Sequence, residues 1–88
     1  MTRNPQFIMR TVVDKQVLVP VGEAADAYHG MLSVNATGAY LWERMENSQT
    51  EETLADALAE KYGVAEEIAL ADVRLFLAKL RKVGAIIE

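Results

Sequence analysis

The sequence predicts an α+β domain in which a three-stranded antiparallel sheet is followed by three helices. Three observations predict it. Residues 7–34 contain short runs rich in β-branched and aromatic side chains, separated by turn residues. Residues 36–83 switch to apolar spacings of three and four, the period of amphipathic helices. Between the two, Ser33–Met45 (SVNATGAYLWERM) ends a strand and opens a helix almost at once.

Met1–Gln6 is polar, contains Pro5, and is expected to fray. Phe7–Val13 and Val17–Val19 read as strands, with Asp14-Lys15-Gln16 as the hairpin turn. Phe7, Met9, Thr11 and Val13 share the face expected to meet the core. Pro20 cannot donate to a ladder, so it ends the second strand or marks an edge. Gly22–Gly30 reads as a loop with room for one helical turn, and Met31–Val34 as the third strand. So short a chain must connect these strands as an antiparallel meander, since a parallel crossover needs about a dozen residues or more.

The first helix is expected over Ala36–Glu46, capped by the Asn35 side chain. Gly38, Leu41, Trp42 and Met45 fall on one face, and Trp42, the single tryptophan, is the largest apolar block available to a core. Thr50 caps the second helix, with Glu51 and Glu52 in the first turn, where the dipole favours negative charge. Leu54, Ala55, Leu58 and Tyr62 form its expected buried face, and Gly63 its left-handed terminus. The third helix spans about Ala65–Val83, with Glu66 and Glu67 at its start, Arg81 and Lys82 at its end, and Gly84 beyond. Ala85-Ile86-Ile87 then packs as a tail or adds a short strand.

At 88 residues the chain is expected to be one domain, residues 1–88, with a modest core. Its 51% apolar content excludes intrinsic disorder. The net charge of −4 arises entirely after residue 35, where ten acids face six bases. Such a balance works against nucleic-acid binding, whose affinity rests on cations meeting phosphates. With no cysteine there is no disulfide, thiolate nucleophile or thiolate metal site. No apolar run suits a signal peptide or a membrane span, so a cytoplasmic protein is expected.

The third helix carries two apolar stripes. Ala69, Leu70, Val73, Phe76, Leu77, Leu80 and Val83 make an ordinary core face. Ile68, Ala71, Leu75 and Ala78 gather on nearly the opposite side, with Lys79 and Lys82 beside them. A surface helix needs only one apolar stripe. The second is covered by the strands, by another subunit or by a ligand, and in the last case it forms an apolar groove with a basic rim.

Catalytic chemistry is hard to assemble. His29, the lone histidine, lies in the glycine-bracketed loop, with no second histidine or cysteine to share a metal. Neither Ser33 nor Ser48 sits in a nucleophile elbow, and Gly22, Gly30 and Gly38 form no phosphate loop. An enzyme is not expected. Strands with three helices can also make a winged-helix nucleic-acid-binding module. Here, however, Arg74, Lys79, Arg81 and Lys82 are spread toward the C-terminal end of the helix, while Glu66, Glu67 and Asp72 occupy the end that would read bases.

Three segments resemble the PqqD-like family. SVNATGAYLW at 33–42 is similar to its junction pattern L-N-x-T-G/A-A-x-x-W. TEETLADALAEKYGV at 50–64 is similar to T-x-x-x-L-A-x-x-L-x-x-x-Y-x-V, and DVRLFLAKLRKVGAI at 72–86 to D-V-x-x-F-L-x-x-L-x-x-x-G-L-I. Val34 and Ala85 stand where leucine is usual. The resemblance implies a winged-helix-like fold of three strands and three helices that recognises the leader of a ribosomally made precursor peptide. It implies that the leader adds as a strand beside Met31, Leu32, Ser33 and Val34. Ile68, Ala71, Leu75 and Ala78 would then form the apolar wall, and Lys79 and Lys82 would meet acidic side chains. It implies presentation of the peptide to a modifying enzyme, often a radical S-adenosylmethionine maturase that carries its own iron–sulfur clusters. This chain would need no cofactor and would make or break no bond. The competing expectations are the nucleic-acid module and an oligomerisation domain, a homodimer that buries the second stripe against itself.

Overall fold

The computed structural model describes residues 1–88 and has a sheet on one side and helices on the other. Strands β2 (Phe7–Val12) and β3 (Lys15–Pro20) form a hairpin with Phe7 opposite Pro20 and Val12 opposite Lys15. The turn is Val13-Asp14, not Asp14-Lys15-Gln16: Lys15 and Gln16 already belong to β3. Val13 takes φ of 60°, a conformation that a β-branched residue rarely adopts, so local propensity did not mark it as the turn. A short helix, α1 (Glu23–Ala27), lies against β3 within the glycine-bracketed loop. Strand β4 (Leu32–Val34) then pairs with β3, giving the order β2-β3-β4, with Pro20 as the last residue of the central strand.

Phe7, Leu18 and Val34 are buried on the sheet face that meets the helices. Met9 is half-buried there, whereas Thr11 and Val13 are exposed, contrary to the alternation pattern. Both stand at or beside the hairpin tip, where every residue from Thr11 to Lys15 is exposed.

Helix α2 (Ala36–Arg44) begins where the Asn35 side chain accepts the Gly38 N–H at 2.8 Å, and it buries Leu41 and Trp42. Helix α3 (Glu51–Tyr62) opens with a reciprocal cap between Thr50 and Thr53 and ends at Gly63, at φ 65°. Helix α4 (Glu66–Val83), the third helix of the sequence reading, buries Ala69, Val73, Leu77 and Leu80. Tyr62, expected in the core, is instead exposed and stands edge-on to Tyr40, with ring centroids 6.3 Å apart.

The N-terminus is tied down rather than frayed. Strand β1 (Thr2–Arg3) pairs antiparallel with β5 (Ile86–Ile87), the short strand offered by the C-terminal tail. The Asn4 N–H donates to the Ala85 carbonyl at 2.8 Å, and the Gln49 N–H to the Met1 carbonyl at 2.8 Å. These partners lie far apart in sequence, and local composition carries no trace of them.

Candidate functional site

The open edge of β4 follows from hydrogen-bond alternation. The Val21 N–H donates to the Gln6 carbonyl, so the odd-numbered residues of β3 face β2 and its even-numbered residues face β4. Gln16 and Leu18 therefore bond Val34 and Leu32, and Ser33 directs its N–H and C=O outward. No other strand of the sheet lies on that side.

Across from this edge runs α4. Asp72, Leu75, Phe76 and Lys79 fall at i, i+3, i+4 and i+7, hence on one face, and together with β4 they line a groove of about 1000 Å³. Its floor is the first turn of α2. A Cβ on Gly38 would lie 2.8 Å from Val34 Cγ1 and 3.0 Å from Phe76 Cε1. Glycine at this position is what lets β4, α2 and α4 converge. Tyr40, Lys61 and Tyr62 also contribute to the lining. The Lys61 ammonium lies 5.1 Å from the Tyr40 ring centroid and 5.8 Å from that of Tyr62, within cation–π range.

The second stripe of α4 is unburied. Leu75 is 66% exposed and Ile68 56% exposed, and Ala71 and Ala78 are exposed as well. The alternative in which the strands cover the second stripe is thereby overturned: Val73, Leu77 and Leu80 join the core, with α3 as the main neighbour of α4, and the opposite side is left to solvent. The chain's ion pairs, Arg74 with Glu51 and Arg81 with Glu88, both lie outside the groove. Lys15, Lys61 and Lys79 on one hand, and Asp14, Glu43 and Asp72 on the other, thus line it without salt-bridge partners.

Of the residues singled out from sequence, Leu32, Ser33, Val34, Leu75 and Lys79 line the groove together. Met31, Ile68, Ala71, Ala78 and Lys82 are exposed but lie outside the lining. The lined face of α4 is turned by about 70° from the 68–71–75–78 stripe, at 100° per residue. Sequence reasoning missed Tyr40, Lys61, Asp72 and Phe76. The spacing of 72, 75, 76 and 79 was legible, but Asp72 and Lys79 broke its apolar pattern. Tyr40 and Lys61 come from two other helices and left no joint signal.

The family model described as "Coenzyme PQQ synthesis protein D (PqqD)" matches residues 15–86. The chain belongs to the PqqD family. The PqqD match begins at β3 and reaches β5, so it takes in both walls of the groove and leaves β1 and β2 outside. The fold is shared with a solved structure of TbiB1 in complex with the TbiA(beta) leader peptide. That protein is 21% identical, the match covers 97% of this chain and 93% of that one, and the TM-score is 0.74. No curated protein matches the chain.

Proposed function

We propose that this PqqD-family chain binds the leader of a ribosomally made precursor peptide, which adds as an extended strand to β4 and lies against α4. The observation that carries the proposal is the pairing of an open strand edge at Ser33 with an apolar wall of exposed Leu75 and half-buried Phe76 across one groove. Strand addition supplies main-chain hydrogen bonds, and side-chain pockets supply selectivity. The leader bound to TbiB1 in the structure sharing this fold supports the same reading. Leu32, Ser33, Val34, Leu75 and Lys79 are the primary contacts. Met31, Ile68, Ala71, Ala78 and Lys82 form the exposed margin that a longer leader reaches.

The chain's part is recognition and escort. A modifying enzyme, a radical S-adenosylmethionine maturase, takes the presented peptide and carries out the chemistry in the cytoplasm. No helix of the chain is long and apolar enough to cross a membrane. The test is a titration with the leader segment of a ribosomally made precursor peptide, followed by amide hydrogen exchange. Exchange at residues 31–34 slows as the leader saturates. Unchanged exchange there at saturation refutes strand addition.

A further inference from the structure

Lys61 is an exposed cation in the last turn of α3, and no acid of the chain pairs with it. An intrahelical carboxylate would stand three or four residues earlier, but Leu58 and Ala57 occupy those positions. The acids of the groove lining, Asp14, Glu43 and Asp72, form no ion pair with it either. Two aromatic rings hold it instead, at 5.1 Å for Tyr40 of α2 and 5.8 Å for Tyr62 of α3. The rings are fixed in turn: they stand edge to face, and the Tyr40 hydroxyl donates to the Ala57 carbonyl at 3.4 Å.

Ordering a lysine side chain costs conformational entropy, and here the rings order it before any ligand arrives. A ring face attracts the charge without neutralising it, so the ammonium still lacks a counter-ion. A carboxylate completes it, through charge-assisted hydrogen bonds. We infer that Lys61 is a specificity-determining residue of the groove, which selects leaders carrying an aspartate or glutamate side chain where the peptide passes α2 and α3. This role rests on the peptide reading and adds to it the chemistry of one leader side chain. Tyr40 and Tyr62 are positioning residues, which act on the peptide through the lysine.

Lys61 is separate from the lysines of α4. Only Gly63–Ala65 connects α3 to α4, so Lys61 lies toward the N-terminal end of α4. Lys79 lies thirteen residues beyond Glu66, about 20 Å along the helix at 1.5 Å per residue. Both line the one groove, so a leader that crosses it meets the two lysines at different positions. Substitution at one lysine can therefore be told from substitution at the other.

The experiment uses the full chain, with a phage-displayed library of random linear peptides as the probe. Binders are kept if they slow amide exchange at residues 31–34. Among these, selection on the wild-type chain should enrich aspartate or glutamate at one position, and selection on Lys61→Met should not. Methionine keeps an apolar stem over the rings and removes the charge. With one enriched peptide, replacing its acid by the matching amide should weaken binding about fivefold, the upper end for an exposed ion pair. Lys61→Met should do the same, and the two changes together should cost no more than either alone. Lys61→Arg should retain the preference for acid. Tyr62→Leu should weaken the acidic peptide more than its amide counterpart, which a merely structural role would not do. Peptides that protect residues 31–34 without any acid preference overturn the role of Lys61 and leave the peptide reading standing. So does an acid preference that survives Lys61→Met and is lost in Lys79→Gln. A library that yields no binder protecting residues 31–34 overturns the peptide reading, and the role of Lys61 with it.

Discussion

Leu75→Ala separates binding from folding within one helix. Leu75 is 66% exposed, while Leu80, on the other side of α4, is fully buried. Burying a leucine side chain is worth about 1.5–3 kcal/mol, so covering the two-thirds left exposed at Leu75 gives roughly 1–2 kcal/mol for a docked leader. Truncation should therefore weaken leader binding by about 5- to 30-fold, at 1.4 kcal/mol per tenfold. Folding should lose little, since few contacts are removed and alanine is the better helix former. Leu80→Ala should cost about 2–5 kcal/mol of stability through the lost burial and the cavity left behind. In a domain of this size each kcal/mol moves the melting temperature by roughly 4–8 °C, so the two variants are readily told apart by thermal melts. Fluorescence anisotropy with labelled leader supplies the affinity. A melting loss for Leu75→Ala equal to that of Leu80→Ala refutes an open wall. Unchanged affinity in a well-folded Leu75→Ala places the leader elsewhere.

Gly38→Ala should destabilise the chain by about 1–3 kcal/mol, because its Cβ meets Val34 and Phe76 too closely. A chemical-denaturation series checks this, and wild-type stability would mean the groove floor can open. Val13→Asn should raise stability by about 1 kcal/mol, since asparagine tolerates the left-handed conformation that valine resists. A lower melting temperature would show that the tip does not hold that conformation. Duplex DNA should bind weakly, with affinity falling steeply as salt rises, because net charge is −4. A site-specific nanomolar complex at physiological salt would reverse the ranking of peptide over nucleic acid.

What was legible in the sequence was local. Asn35 and Thr50 cap the helices they were expected to cap, and Gly63 and Gly84 close α3 and α4 in left-handed conformations. Each of these signals acts within one helical turn. The β1–β5 pairing joins residues at opposite ends of the chain, and no window of sequence contains both. The hairpin turn was displaced because Val13 contradicts its own propensity there. In the site, the spare stripe on α4 was readable from periodicity alone. The direction in which the groove turns away from it was not, because that is set by where β4 and Gly38 meet Phe76.

The length of β4 bears on where selectivity resides. A strand of three residues with only Ser33 bonded outward offers a peptide one donor and one acceptor at its centre. At about 0.5–1.5 kcal/mol net per hydrogen bond, the pair contributes roughly 1–3 kcal/mol. A micromolar complex requires about 8 kcal/mol, so the greater share must come from side chains in the groove. Replacing leader amides by esters one at a time removes each donor without adding bulk. The ester opposite Ser33 should weaken binding by about tenfold or less, one bond's worth. Alanine at the leader position over Leu75 and Phe76 should cost more, since it forfeits the apolar contact with the α4 wall. Titration calorimetry on the two peptide series makes the comparison. If the worst ester exceeds the worst alanine, the edge dominates and the groove is only a channel. If the alanine exceeds the ester, recognition lies in the leader's side chains, and β4 fixes its register.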